Sequence, residues 1–115
     1  MSGPRGEIRI GIAALRRLRP AELADLLEEL GREERQELLS QLDAEVAADA
    51  LEEMEPNELG ALLRESEPER AAELLAEMEP DEAADPLRDL EQAEAAERLA
   101  AMPPDIAAPL RALLL

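Results

Sequence analysis

The 115-residue chain has no cysteine, histidine, lysine, threonine or aromatic residue. Each absence closes off a class of chemistry. Without cysteine there is no disulfide framework and no thiolate nucleophile. With histidine gone as well, a zinc site has lost its usual ligands. The side chains that most often carry acid–base and nucleophilic catalysis are missing too. Paired carboxylates could still serve a hydrolase, but they need a pocket, so the chain reads as non-enzymatic. Nucleic-acid bases have no aromatic platform to stack on. Positive charge is scarce, with twelve arginines against 29 acids and a net charge of −17. Phosphate binders neutralise their target with lysine and arginine, so this surface repels nucleic acid and anionic membranes alike. No apolar run approaches the roughly 18–20 residues that span a bilayer. The N-terminal "IRIGIAAL" is short and broken by Arg9, which argues against a signal peptide. A soluble, cytosolic chain of about one small domain is left. Arginine used in place of lysine, beside abundant alanine and proline, reflects the coding bias of a GC-rich genome and carries no functional signal.

What is present is a repeat, and searching for one comes first. From Arg19 the chain divides into twelve-residue blocks: RPAELADLLEEL, GREERQELLSQL, DAEVAADALEEM, EPNELGALLRES, EPERAAELLAEM, EPDEAADPLRDL and EQAEAAERLAAM. An eighth block, PPDIAAPLRALL, fits after a one-residue deletion, and residues 7–18 form a degenerate block with Leu15 and Leu18 in phase. Position 9 is leucine in all seven blocks, from Leu27 to Leu99, and position 12 is leucine or methionine except at Ser66. Positions 5, 8, 9 and 12 stand at i, i+3, i+4 and i+7, which is one face of a helix. Position 6 is small in most blocks, so neighbouring helices can approach closely.

Proline at position 2 starts a helix where its missing N–H costs nothing. The acid before it can cap, and the acids after it meet the positive end of the helix dipole. Each helix is then about ten residues, roughly 15 Å long, and marginal alone. The expected fold is all-α, a right-handed superhelical solenoid of about eight or nine short helices, each burying its leucine face on the next. Residues 15–115 form this array. Residues 1–14 form a basic leader, partly irregular, where Ile8, Ile10 and Ile12 alternate. Residues 1–19 hold five arginines against Glu7, whereas residues 20–115 hold seven against 28 acids. Arg35, Pro86 and Arg98 break the apolar pattern, and Pro86 is expected to kink or shorten its helix.

Positions 3, 7 and 11 point away from the leucine face at i, i+4 and i+8. They are Glu45, Asp49 and Glu53 in the third block, Glu69, Glu73 and Glu77 in the fifth, and Asp81, Asp85 and Asp89 in the sixth. Like charges at i, i+4 destabilise a helix by roughly 0.2–0.5 kcal/mol per pair, and arginine seldom relieves them, with Glu94–Arg98 a rare i, i+4 pair. A solvated acidic face explains this blandly. A face that collects hard divalent cations explains it more sharply, because carboxylates suit Mg²⁺ and Ca²⁺. No EF-hand loop is present, so a calcium cage is not expected.

The tandem unit x-P-[DE]-x-A-A-[DE]-x-L-x-x-[LM], in "LRPAELADLLEEL", "EPERAAELLAEM" and "EPDEAADPLRDL", resembles the cytosolic N domain of MgtE-type magnesium transporters. The resemblance covers residues 15–115. It implies a right-handed superhelix followed by a CBS-domain pair and a membrane pore. It also implies Mg²⁺ bridging acids of the N and CBS domains, with the pore closed when Mg²⁺ is bound. The acid of a mid-array "AA[DE]xL" unit corresponds to Asp49, and Glu73 holds the same place two blocks on. The first acid of a late "DDLAD"-like unit corresponds to Asp81, with Asp85 one turn later. Expected metal ligands are thus Asp49, Glu73, Asp81 and Asp85, binding Mg²⁺ weakly and jointly with a partner domain. The chain departs from the family at its end. It stops at "LRALLL", without the "AGGLM"-like segment, a CBS pair or membrane helices, and reads as an excised domain or as a protein that borrows the array. Alone it would regulate and not transport. The competing reading is an interaction scaffold without metal sensing, since the flagellar motor switch protein has distantly similar short-helix repeats.

Overall fold

The twelve-residue register reappears as helix starts. The computed structural model describes residues 14, 15 and 17–115. The expectations for Ile8, Ile10 and Ile12, and for the leader apart from Ala14, lie outside those residues. Eight helices follow: α1 (Pro20–Glu29), α2 (Arg32–Ser40), α3 (Ala44–Leu51), α4 (Pro56–Glu65), α5 (Pro68–Ala76), α6 (Pro80–Asp89), α7 (Gln92–Ala100) and α8 (Pro104–Leu113). No strand occurs among the described residues. The N-cap residues are Arg19, Gly31, Asp43, Glu55, Glu67, Glu79, Glu91 and Pro103, each twelve after the last. In every block the position-5 N–H donates to the position-1 carbonyl at 2.8–3.0 Å. Proline occupies the first helical position at Pro20, Pro56, Pro68, Pro80 and Pro104, where no N–H is needed.

The capping expectation is corrected. The side chains of Asp43, Glu55, Glu67 and Glu79 do not cap the N–H groups that follow them. A preceding proline-compatible acid instead supplies negative charge at the dipole's positive end. At α1 and α7 the third helical residue reaches backward to the N-cap instead. Glu22 accepts the Arg19 N–H at 2.9 Å and Glu94 accepts the Glu91 N–H at 3.1 Å.

Burial follows the predicted face. Position 5 is buried in all eight blocks, and position 9 is buried from Leu27 through Leu99. Leu51 and Leu63 are 0 % exposed and Leu75 1 %. Leu15, in the degenerate block, is also buried, and its carbonyl accepts the Leu18 N–H at 3.1 Å. The same position-9 to position-12 bond closes Leu39–Leu42, Leu51–Met54 and Leu75–Met78. The eighth block needs no deletion, which corrects the sequence alignment. Its N-cap keeps the spacing, and Ala107 and Leu110 are buried at positions 5 and 8, while position 9 is the exposed Arg111. Nor does Pro86 shorten α6, which runs its full ten residues with Pro86 buried. The loss of one internal N–H is outweighed there by the packing of Ala83, Ala84 and Leu87.

Two compact units emerge, residues 1–54 and 55–115. In the first, α1 packs chiefly on α3 and also on α2. In the second, α4 packs on α6, α6 on α8, and α5 on α7. The main partner of a helix is therefore the next but one, not the next in sequence. Helix length in the second unit alternates between ten and nine residues. Ser66 and Leu90 end their helices extended, whereas Glu77, Ala101 and, closing the ten-residue α8, Leu114 end theirs in a helical conformation. The structural repeat of this unit is thus a pair of blocks.

The two arginines that break the apolar pattern are buried and fastened to helix ends. Arg35 is 8 % exposed. Its Nε donates to the Leu27 carbonyl at 3.1 Å and its Nη2 to that of Leu30 at 2.9 Å, at the end of α1. Arg98 is 4 % exposed. Its Nε and Nη2 donate to the Leu63 carbonyl at 3.3 and 3.2 Å, and Nη2 also to those of Arg64 and Ser66 at 3.4 and 3.2 Å. The last carbonyls of a helix have no partner within it, and α7 supplies one to α4. Ser66, the exception at position 12, is buried and donates its hydroxyl to the Leu62 carbonyl at 2.8 Å. The small serine and the long arginine thus occupy one joint. The expected Glu94–Arg98 pair is not the one formed. Arg98 Nη1 donates to the Glu94 backbone carbonyl at 3.1 Å and pairs with Glu97 at 3.4 Å, while the Glu94 carboxylate lies 3.8 Å from Arg64.

Candidate metal-binding face

The nine ridge acids are all exposed, as the helix register requires once positions 5, 8, 9 and 12 turn inward. Glu45, Asp49 and Glu53 follow α3 and its C-terminal turn in the first unit. Glu69, Glu73 and Glu77 follow α5, and Asp81, Asp85 and Asp89 follow α6, in the second.

The four candidate ligands divide into two kinds. Glu73 pairs with Arg70 at 3.0 Å and Asp85 with Arg88 at 2.6 Å. Both pairs are spaced i, i+3, which the i, i+4 reading of the ridge passed over. At more than half exposure each carboxylate keeps solvent access, and such pairs are worth little, about 0–1 kcal/mol. Asp49 and Asp81 form no hydrogen bond or ion pair with any described residue, so their oxygens stand open to solvent. Asp89 leans inward at its base. A Cβ placed on Gly60 of α4 would lie 3.7 Å from the Asp89 Cβ, so the ridge acid roofs the small position 6 of its neighbour.

Carboxylate oxygen is the right donor for a hard divalent cation. The number is insufficient: among the described residues no three acids come close enough together to hold an ion. One element of the ridge offers one or two carboxylates, and the rest of a coordination shell has to come from water or from another surface. Arg35 and Arg98 stand out in the sequence as breaks in the apolar pattern, but not as clamps on helix-end carbonyls. Their signal was available, because a lone arginine at an otherwise apolar position must find acceptors.

What the helices and the face define is a repeat module of short amphipathic helices with an outward carboxylate surface. No helix among the described residues is long and apolar enough to cross a membrane. Residues 18–115 match the family model described as the MgtE intracellular N domain, and the chain belongs to that family. Among solved structures it is similar to the soluble part of a magnesium transporter, with a TM-score of 0.79 and 30 % identity over 89 % of this chain. The chain spans 41 % of that protein's length. A comparison with curated proteins finds no match.

Proposed function

We propose that this chain is the cytosolic, Mg²⁺-responsive regulatory domain of a magnesium transporter, non-catalytic and unable to transport by itself. The observation that carries the reading is the union of family membership with an outward face whose acids Asp49 and Asp81 are exposed and have no partner among the described residues. Mg²⁺ keeps several waters and binds through one or two carboxylates, which is what a single ridge offers. A partner surface completes the shell, and by resemblance to the family that surface is a CBS-domain pair. When Mg²⁺ is scarce, facing acids repel. Two charges 4 Å apart in water interact by about 1 kcal/mol, and many such pairs act together. When Mg²⁺ is abundant it bridges them, and the joint conveys the ion's concentration to the pore.

The test is a thermal melt of the chain in MgCl₂ and in NaCl at equal ionic strength, with Asp49→Asn and Asp81→Asn as controls. Monovalent salt only screens, with a Debye length near 10 Å at 0.1 M. A bound divalent ion adds RT ln(1 + [L]/Kd). With part of the shell missing, Kd is about millimolar at best, so the Mg²⁺-specific gain is below about 1 kcal/mol at millimolar ion. Both substitutions should reduce it. Identical melts in the two salts would remove the cation reading and leave an interaction scaffold like that of the flagellar motor switch protein.

A further inference from the structure

Positions 4 and 7 of a block lie one helical turn apart, outside the leucine face. In the second unit they hold Glu58 and Ala61 on α4, Arg70 and Glu73 on α5, Glu82 and Asp85 on α6, and Glu94 and Glu97 on α7. In α8 alone of these helices both are apolar, as Ile106 and Pro109. Ile106 is half-buried and Pro109 exposed. The pair stands at the wall of a hollow of about 220 Å³ between the α5–α6 junction and the first two turns of α8. Buried Leu75, Met78 and Leu110 floor it, and Asp105 is the one charged residue that lines it. The exposed acids Glu77, Glu79 and Asp81 stand beside its residues Met78 and Pro80 in the chain. The hollow is not an effect of the chain's end. At the matching positions of α6, Asp81, Glu82 and Asp85 stay exposed although α7 and α8 follow, so further blocks laid in the same way would leave it open.

We propose that this hollow receives one aliphatic or aromatic side chain from a basic segment of a partner protein. The exchange of surface charge for Ile106 and Pro109 makes an apolar patch inside a polar rim, the usual mark of an interaction site. Its size sets the anchor. Small-molecule sites run from about 300 to 1,000 Å³, and this one is smaller, of the order of a single large side chain. Its rim sets the flanks. An arginine or lysine beside the anchor would meet the Asp105 carboxylate, which has no hydrogen bond or ion pair with a described residue. Pro109 adds a further acceptor, because it has no N–H and leaves the Asp105 carbonyl without its i+4 helical donor. A desolvated anchor within a charged rim is the anatomy of an interface hot spot. A second copy of the chain is the poorer occupant, since two chains of net charge −17 repel.

The probe is a short fluorescein-labelled peptide with one central phenylalanine, two arginines on either side of it, and glycine and serine elsewhere. It is titrated with the 115-residue chain and followed by anisotropy. Any basic peptide is drawn to a chain of this charge, so the test turns on the sign of an effect. Ile106→Glu and Pro109→Asp give α8 the acids that α6 carries at the same positions. Docking in the hollow predicts that each weakens binding at least about tenfold in spite of the added negative charge. Attraction by charge alone predicts equal or tighter binding. Circular dichroism establishes that each variant is folded, and Pro109→Asp restores a helical N–H. A peptide with serine in place of phenylalanine should bind the unaltered chain at least about tenfold more weakly. Binding that both substitutions leave unchanged or tighten overturns the proposal, as does a serine peptide that binds as well as the phenylalanine one. A dimer in sedimentation that Ile106→Glu abolishes would give the hollow to a second copy and overturn it as well.

Discussion

Arg98→Ala removes a buried side chain that ties α7 to the end of α4. The guanidinium donates to the carbonyls of Leu63, Arg64, Ser66 and Glu94 at 3.1–3.4 Å. These lie at the long end of the hydrogen-bond range, so each is weaker than a well-formed charged bond of about 1.5–3 kcal/mol. The larger effect is on what remains. The buried Leu63 carbonyl loses its donor, and a buried polar group without a partner costs about 1–3 kcal/mol. With the weaker bonds to the other carbonyls added, the expected loss is about 3 kcal/mol, comparable with a buried Leu→Ala change of about 2–5 kcal/mol. For a domain of this size that is a fall in Tm of about 12 °C or more. Urea denaturation followed by circular dichroism at 222 nm measures it. Arg98→Lys should recover less than half the loss, because a compact ammonium cannot address several carbonyls as the planar fork does. Ser66→Leu combined with Arg98→Leu restores the apolar pattern of the other blocks but leaves the Leu63 carbonyl without its donor, so it too should recover less than half. If Arg98→Ala moves the midpoint no further than Arg111→Ala on the surface, the clamp is not a clamp and the reasoning fails.

Leu63→Ala should destabilise the chain by about 2–5 kcal/mol, whereas Leu115→Ala should leave the urea midpoint unchanged. Leu63 is 0 % exposed and Leu115 projects fully into solvent, so equal shifts would argue against stacked helices. Gly60→Ala should raise stability by about 0.5–1 kcal/mol, because alanine is the better helix former. Its methyl would meet the Asp89 Cβ at an ordinary 3.7 Å, and a lowered midpoint in the same assay would show that α4 and α6 approach more closely than this.

The leucine register was legible because position 9 never varies from Leu27 to Leu99, and an invariant apolar residue on a helical period has one physical reading. The outward acids were legible by the same argument, as the complement of the buried face. Three things were not. The pairing of helices with their next-but-one neighbours is long-range, and a period of twelve says nothing about which helix covers which. A trace was present all the same, for methionine closes every second block at Met54, Met78 and Met102. The arginine partners were hidden because Arg98 reaches carbonyls some 35 residues away. The pairs Arg70–Glu73 and Asp85–Arg88 were hidden because attention to i, i+4 overlooks the i, i+3 neighbour, which is equally near on a helix. Of the candidate ligands, the sequence could mark Asp49 and Asp81 only as outward acids. That they have no partner among the described residues depends on where the nearby arginines turn.

The alternation of ten- and nine-residue helices gives the second unit a parity. Inserting or removing one block would put a short helix in a row of long ones and an extended helix end where a helical one belongs. Inserting or removing two blocks would leave every helix beside its own kind. An array built this way lengthens and shortens in even steps, whatever the twelve-residue spelling of its sequence suggests. Parity slips once in the chain, where the nine-residue α2 is followed by the eight-residue α3. The second compact unit opens one helix later, at α4, so the odd step belongs to the first unit and the second keeps an unbroken alternation of lengths.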